Sequence, residues 1–187
     1  MTVDQDFRDG LLASIPKLRA FAVSMTNDRA RADDLVQETL SRAWANQHQF
    51  QAGTNLMAWL YTILRNELYS TMRRRRREVE DAEGVHAARL AVQPNQQSAL
   101  DVTNLREALT KLPPDQREAL LLVGAEGLSY EEAAQICNVR VGTVKSRVNR
   151  ARTRLVQLLQ VTDEGDFGPD ARTNAAMQYV GGRRSGT

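Results

Sequence analysis

Residues 128–155 read LSYEEAAQICNVRVGTVKSRVNRARTRL, and the pattern is that of a helix, a short turn and a second helix. Ser129 followed three residues later by Glu132 is a capping box: the hydroxyl satisfies one orphan amide, and the carboxylate returns to the backbone of the cap. Ala134 is small enough for two helices to cross closely. Asn138, four residues on, is a type that tolerates a left-handed turn, although glycine is commoner there, and Val139 with Val144 would plug the corner. On the second helix Val144, Val148, Ala151 and Leu155 recur at helical spacing and form the buried stripe. Thr143, Lys145, Ser146, Asn149, Arg150 and Thr153 then fall largely on the opposite side, a face with positive charge and short hydrogen-bonding groups but no carboxylate. An ordinary solvated helix would mix signs. Lys and Arg bind phosphates or guanine edges and Asn pairs with adenine, so this face suits the major groove of DNA.

Outward from this motif the periodicity stays helical, and no stretch alternates apolar and polar residues like a half-buried strand, so the fold class is all-α. The second block begins near Leu100, carries Leu105, Ala108, Leu109 and Leu112, and restarts after Pro113-Pro114, proline being favourable in a helix's first turn. It is expected to span 100–160. A first block over 7–77 has stripes at Leu11, Ile15, Leu18, Ala22 and Met25, at Leu35, Val36, Leu40, Ala43 and Trp44, and at Leu60, Ile63, Leu64 and Leu68. Between them residues 78–99 turn acidic and then polar, with Gly84, Pro94 and Asn95 interrupting any long helix, which predicts a flexible linker. The glycine-containing tail 161–187 lacks an apolar stripe and is expected to be disordered.

Composition narrows the chemistry. With 42% hydrophobic and 26% charged residues the chain can bury one medium core or two small ones. Net charge is only +2, so any hold on a polyanion must come from local clusters. The first twenty residues carry acids where a signal peptide would be basic and then apolar, and no apolar run reaches the roughly eighteen residues of a membrane span, which points to a cytoplasmic protein without a membrane partner. Cys137 is the single cysteine, and His48 and His86 are the only histidines, so neither a disulfide nor a metal cluster is expected. No phosphate-binding glycine loop, no GxSxG elbow and no grouped nucleophile and base occur, so neither an enzyme nor a cofactor is expected.

The largest such cluster is TMRRRRREVED, residues 71–81, which sets five consecutive arginines against acids. It ends an amphipathic helix expected over Trp59 to Arg77. One or two cations would satisfy the helix C-terminus, whereas five surround the helix on all sides, as a polyanion requires. An anionic lipid surface or an import signal is the other use of such a run. Tyr61, Arg65, Asn66 and Tyr69 upstream favour nucleic acid, since rings stack on unpaired bases while Asn and Arg pair with their edges. Asp33 to Trp44, DDLVQETLSRAW, has acids placed to start a helix and by pattern alone is an ordinary amphipathic one.

Together, RADDLVQETLSRAWANQHQF, NLMAWLYTILRNELYSTMRRRRR and LPPDQREALLLVGAEGLSYEEAAQICNVRVGTVKSRVNRARTRL, in that order, resemble bacterial sigma factors of the extracytoplasmic-function (ECF) group: a sigma-2 domain, a flexible linker and a sigma-4 domain. The resemblance covers most of Leu11 to Leu159. RAFAVSMTNDRARADDLVQETLSRAWAN, GTNLMAWLYTILRN and DQREALLLVGAEGLSYEEAA look most like the EcfG-type factors of the general stress response.

The resemblance implies that the DDLVQET helix, through Asp33, Asp34, Leu35, Gln37, Glu38 and Arg42, docks on clamp helices of core RNA polymerase. It implies that the loop carrying Phe50, Thr54, Asn55 and Leu56, and the helix with Trp59, Arg65, Asn66 and Tyr69, hold a base flipped from the minus-ten element. Asn66 would occupy the specificity position, with Arg73, Arg74, Arg75 and Arg76 near the phosphates of the opening duplex. In sigma-4, Thr143, Lys145, Ser146, Asn149 and Arg150 would face the minus-thirty-five major groove, with Arg147 and Arg154 on flanking phosphates. Family members often carry a basic or aromatic residue at the position of Asn149. Promoter DNA, core polymerase and an anti-sigma factor of the stress response are the implied partners. Two other readings are a sigma-mimicking protein that binds the anti-sigma factor and a one-component helix-turn-helix regulator. The first usually carries a receiver domain and the second needs a ligand pocket or dimerisation helix, and the sequence suggests none of these.

Overall fold

The computed structural model describes residues 3–81 and 97–159, with side chains for 5–75, 77 and 104–159. All regular structure among the described residues is helical, as the periodicity predicts. Contacts divide the chain into two units between Thr103 and Asn104.

The first unit holds α1 (Val3–Thr26), α2 (Arg29–Ala45) and α3 (Leu56–Asp81), which pack pairwise. Leu11, Leu18, Ala22 and Met25 of α1 are buried, together with Phe7 and Phe21. From α2 come Ala32, Leu35, Val36 and Ala43, and from α3 Leu60, Tyr61, Leu64 and Leu68. Ile15, Leu40 and Ile63 are half-buried at the margin of these stripes. Trp44 departs from expectation: it is turned outward and 48% exposed, because Ala43 beside it takes the core position.

The acid that starts α2 is Asp28, not Asp33 or Asp34. It has extended backbone, and its side chain accepts the Arg31 amide at 3.2 Å, the geometry of an N-cap. Asn27 before it is left-handed (φ 54°), so two residues suffice to reverse the chain out of α1. Helix α3 is longer than its apolar stripe predicted. Asn55 caps it by accepting the Ala58 amide at 3.2 Å, and it runs through the arginines to Asp81 with no basic residue in its last turn. The arginines therefore occupy the body of a helix, and the macrodipole explanation for them falls away.

The second unit contains α5 (Pro114–Leu120), α6 (Tyr130–Cys137) and α7 (Val141–Leu159); α4 (Gln97–Thr110) leads into it across the division. Ala108 and Leu112 are buried there, while Leu105 and Leu109 are half-buried. Arg117, itself buried, donates through Nη2 to the Thr110 and Leu112 carbonyls at 2.8 and 3.1 Å, satisfying the C-terminal end of α4. Pro114 stands in the first turn of α5. After Leu120 the helix widens into a π turn over Leu121–Ala125, which Gly127 at φ 70° brings to a close. Helices α4 and α3 overlap the two ends of the stretch expected as linker, and its interior, with Gly84, Pro94 and Asn95, lies outside the described residues, as does the tail from 160.

The 128–155 motif folds as its sequence dictates. Ser129 Oγ accepts the Glu132 amide at 3.1 Å and Glu132 Oε2 accepts the Ser129 amide at 2.9 Å. At the other end Asn138 is left-handed (φ 51°, ψ 50°), with its amide on Gln135 and the Val139 amide on the Ala134 carbonyl. These are the paired bonds of a Schellman turn. Val144, Val148, Ala151 and Leu155 are all buried. Ser129→Ala is expected to lower the stability of this unit by about 1 kcal/mol, with Asn138→Gly tolerated. Urea denaturation followed by circular dichroism checks both, and a Ser129→Ala chain as stable as wild type contradicts the capping role.

Candidate nucleic-acid interface

Burying one stripe of α7 fixes what faces out. Lys145, Asn149, Arg150 and Thr153 are exposed, and Thr143 and Ser146 are half-exposed beside them. Ser146 Oγ and Thr153 Oγ1 each donate to a carbonyl of their own helix, that of Thr143 and of Asn149 respectively. The Lys145 ammonium lies 5.6 Å from the centre of the Tyr130 ring, so α6 helps to place the end of a flexible side chain. Tyr130 was not singled out from sequence; its adjacency to the cap at Ser129 was the only signal, and it did not specify a partner.

The flanking arginines differ. Arg154 is exposed and reaches only Gln157 of its own helix, at 3.3 Å. Arg147 is mostly covered, 21% exposed, and pairs with Asp115 of α5 at 3.1 Å. Its charge is thus engaged in tying α7 to α5, which periodicity along α7 could not reveal.

In the first unit, a 3-10 turn (Gln47–Gln49) and the loop to Asn55 join α2 to α3. Phe50 and Trp59, expected as base contacts, stand with Phe7 in one aromatic cluster: centroids are 5.4 Å apart for Phe50–Trp59, 5.6 Å for Phe7–Phe50 and 6.2 Å for Phe7–Trp59. Phe50 and Trp59 are half-buried in this cluster, with the rings tilted against one another. The loop tip is different: Gln51 through Asn55 is exposed. Leu56 is half-buried and lies against α1 at Gly10. Along α3, Asn66 is exposed, and the Arg65 guanidinium sits over the Tyr69 ring, 4.7 Å from its centre. Arg73, Arg74, Arg75 and Arg77 are exposed two and three turns further on; the Arg76 side chain lies outside the described set.

On α2 the docking set divides. Leu35 is 7% exposed and belongs to the core, so its side chain is not available to a partner, a correction to the expected set. Asp33 pairs with Arg19 of α1 at 2.6 Å. Arg42 bridges Glu38 at 2.6 Å and Glu67 of α3 at 3.0 Å. The hydrogen bond that Arg42 donates to Glu38 and then the charge of Glu67 hold its guanidinium above the usual value, so it stays cationic throughout the working range. Asp34 and Gln37 remain exposed.

Two family models match this architecture: "Sigma-70 region 2" over residues 12–78 and "Sigma-70, region 4" over 103–155. The ECF RNA polymerase sigma factor EcfG of Rhodopseudomonas palustris is 57% identical over 177 residues, spanning 95% of this chain and 98% of that one. The chain belongs to the ECF sigma factors. As a sigma factor it is a transcription initiation factor and not an enzyme: it binds core RNA polymerase and directs it to promoter DNA. The ECF factor SigM of Bacillus subtilis is 34% identical over 77% of this chain and 90% of its own length. Among solved structures, the sigma factor RpoE in complex with the anti-sigma factor NepR from Bartonella quintana superposes with a TM-score of 0.78 at 53% identity, covering 85% of this chain and 99% of that one.

Within this ECF factor, the Arg147–Asp115 pair is half open to solvent on the acid's side, so its coupling should be modest. A double-mutant cycle of Arg147→Gln and Asp115→Asn, read by urea denaturation, is expected to give about 0.2–1 kcal/mol. A coupling of zero would remove the pair from the forces joining α5 to α7.

Proposed function

We propose that this chain is a cytoplasmic ECF factor of the general stress response, with residues 7–77 acting as sigma-2, 78–99 as linker, 100–160 as sigma-4 and 161–187 as a tail. In sigma-2, Asp34 and Gln37 meet the polymerase clamp, with Glu38 and Arg42 alongside. The exposed loop tip and Asn66 receive the minus-ten base, and the arginines that follow hold backbone phosphates as the strands part. In sigma-4, Lys145, Ser146, Asn149 and Arg150 read the minus-thirty-five groove, assisted by Thr143 and by Arg154 at the flank.

The observation that carries this reading is the unbroken course of α3. One helix runs from the loop's end at Leu56 past Asn66 to Asp81, with exposed arginines in its body. A base-reading position and a phosphate-binding run thereby share one rigid element. The stress assignment rests on the 57% identity to EcfG. An anti-sigma partner of the NepR kind is supported by the Bartonella quintana complex. The mechanism is capture: unstacking a base costs a few kcal/mol, offset by contacts in the pocket and by polymerase binding.

The test is run-off transcription with core RNA polymerase on a stress-type promoter, comparing wild type, core alone and a chain with Arg73 to Arg76 changed to alanine. Wild type is expected to give a specific transcript that the variant loses. The logarithm of the variant's promoter affinity should also depend less steeply on log salt, by about one unit of slope per phosphate contact removed. No wild-type transcript, together with tight binding to a NepR-type anti-sigma protein, makes the chain a sigma mimic instead.

A further inference from the structure

The loop between α2 and α3 is held from a direction its own sequence does not show. Phe50, at its start, and Trp59, in the first turn of α3 beyond it, pack on each other with centroids 5.4 Å apart, and both meet the ring of Phe7, in the second turn of α1 and itself 8% exposed. One turn further on, Gly10 lies so close to the start of α3 that a Cβ there would stand 2.8 Å from Leu56 Cδ2. Between these anchors a local turn braces the tip. The Thr54 amide and hydroxyl both donate to the Gln51 carbonyl, at 3.1 and 2.7 Å, and Gly53 takes φ 88°. The loop thus has half-buried aromatic residues packed at its ends and an exposed polar tip. Both Phe7 and Gly10 precede residue 12, where the region 2 match begins.

We propose that the N-terminal turns of α1, through Phe7 and the close approach at Gly10, position the minus-ten capture loop. Phe7 acts through Phe50 and Trp59 and does not itself touch DNA. The inference rests on the sigma reading given above and names a residue that reading did not include. Its physical basis is preorganisation: a tip whose ends are fixed in advance loses little freedom on receiving a base, whereas a tip on loosened ends must be ordered at that moment. Ring-on-ring packing serves this purpose well, because each tilted aromatic pair constrains direction as well as distance. Burial of Phe7 alone would be an ordinary core contact. Its contact with both Phe50 and Trp59, which flank an exposed loop tip, makes it a positioning residue.

The experiment uses the full chain bound to core polymerase, with wild type, Phe7→Ala and Phe7→Leu, on fork-junction promoter DNAs carrying each of the four bases at each minus-ten position. The position where wild type discriminates most strongly defines the captured base. Phe7→Ala is expected to lower the ratio of matched to mismatched binding there by roughly tenfold. Phe7→Leu, which keeps an apolar filler without the ring, should fall between, and the affinity of both variants for core polymerase should match wild type. A merely structural role would lower the melting temperature and leave the ratio intact at temperatures where the chain is folded. Both variants retaining the wild-type ratio overturns the proposal. Should Phe7→Ala fail to assemble with core, the ratio for Phe7→Leu decides in the same way. A wild-type chain that supports no promoter-specific binding instead overturns the sigma reading and this inference with it, so the two failures are told apart.

Discussion

Burial of Leu60, Tyr61, Leu64 and Leu68 against α1 and α2 is the interaction on which the first unit depends. These residues sit in the first half of a helix of 26 residues, about 39 Å long at 1.5 Å per residue. The buried half supplies the anchorage, so the second half can carry a charge density that would repel itself and gain nothing from a core. The same buried stripe fixes the rotation of α3 about its own axis, and Arg42, bridging Glu38 to Glu67, adds a polar link between α2 and α3. Rotation decides which way Asn66 points, one residue before Glu67.

The second unit separates charge by the same economy. Three of its acids are placed in folding roles. Glu132 closes the capping box, Asp115 holds Arg147, and Glu118 is buried with Cys137 Sγ at 3.6 Å from its Oε2. None of these carboxylates stands on the outer face of α7, which is left with the potential of Lys145 and Arg150 undiluted. A weakly charged protein can therefore present a strongly basic face, since net charge counts carboxylates that a docked polyanion would never approach.

Legibility followed the range of the physical cause. The cap at Ser129, the left-handed Asn138 and the buried stripe of α7 depend on neighbours within a few positions, and each stands where the sequence placed it. Helix α3 ends at Asp81, four residues beyond the Arg77 expected, because the helical backbone continues past the arginine run that was read as its end. Trp44 was misplaced because Ala43 and Trp44 both fit the period, and hydrophobicity favours the larger residue where packing selected the smaller. Phe7 stood four residues before Leu11, in phase with the stripe, but nothing local could show that its neighbours would be Phe50 and Trp59. Arg147 likewise lay on a basic helix, and only the approach of α5 gave it an acid.

The DDLVQET helix shows why a motif cannot be carried over whole. Every residue of a packed helix has an inward or an outward duty, and the motif's letters fall on both sides. Leu35 and Val36 face the core, Asp33 is drawn to Arg19, and Arg42 is drawn between Glu38 and Glu67. Besides Arg42, the exposed residues from Asp33 to Trp44 are Asp34, Gln37, Ser41 and Trp44, spaced three, four and three residues apart and so aligned as one ridge. That ridge combines an acid, two hydrogen-bonding groups and an indole face 48% open to solvent, whereas the other letters act by holding it in place. Substitutions inside the motif then fall into two kinds, those that alter the ridge and those that release it, and only the first reports directly on what the helix touches.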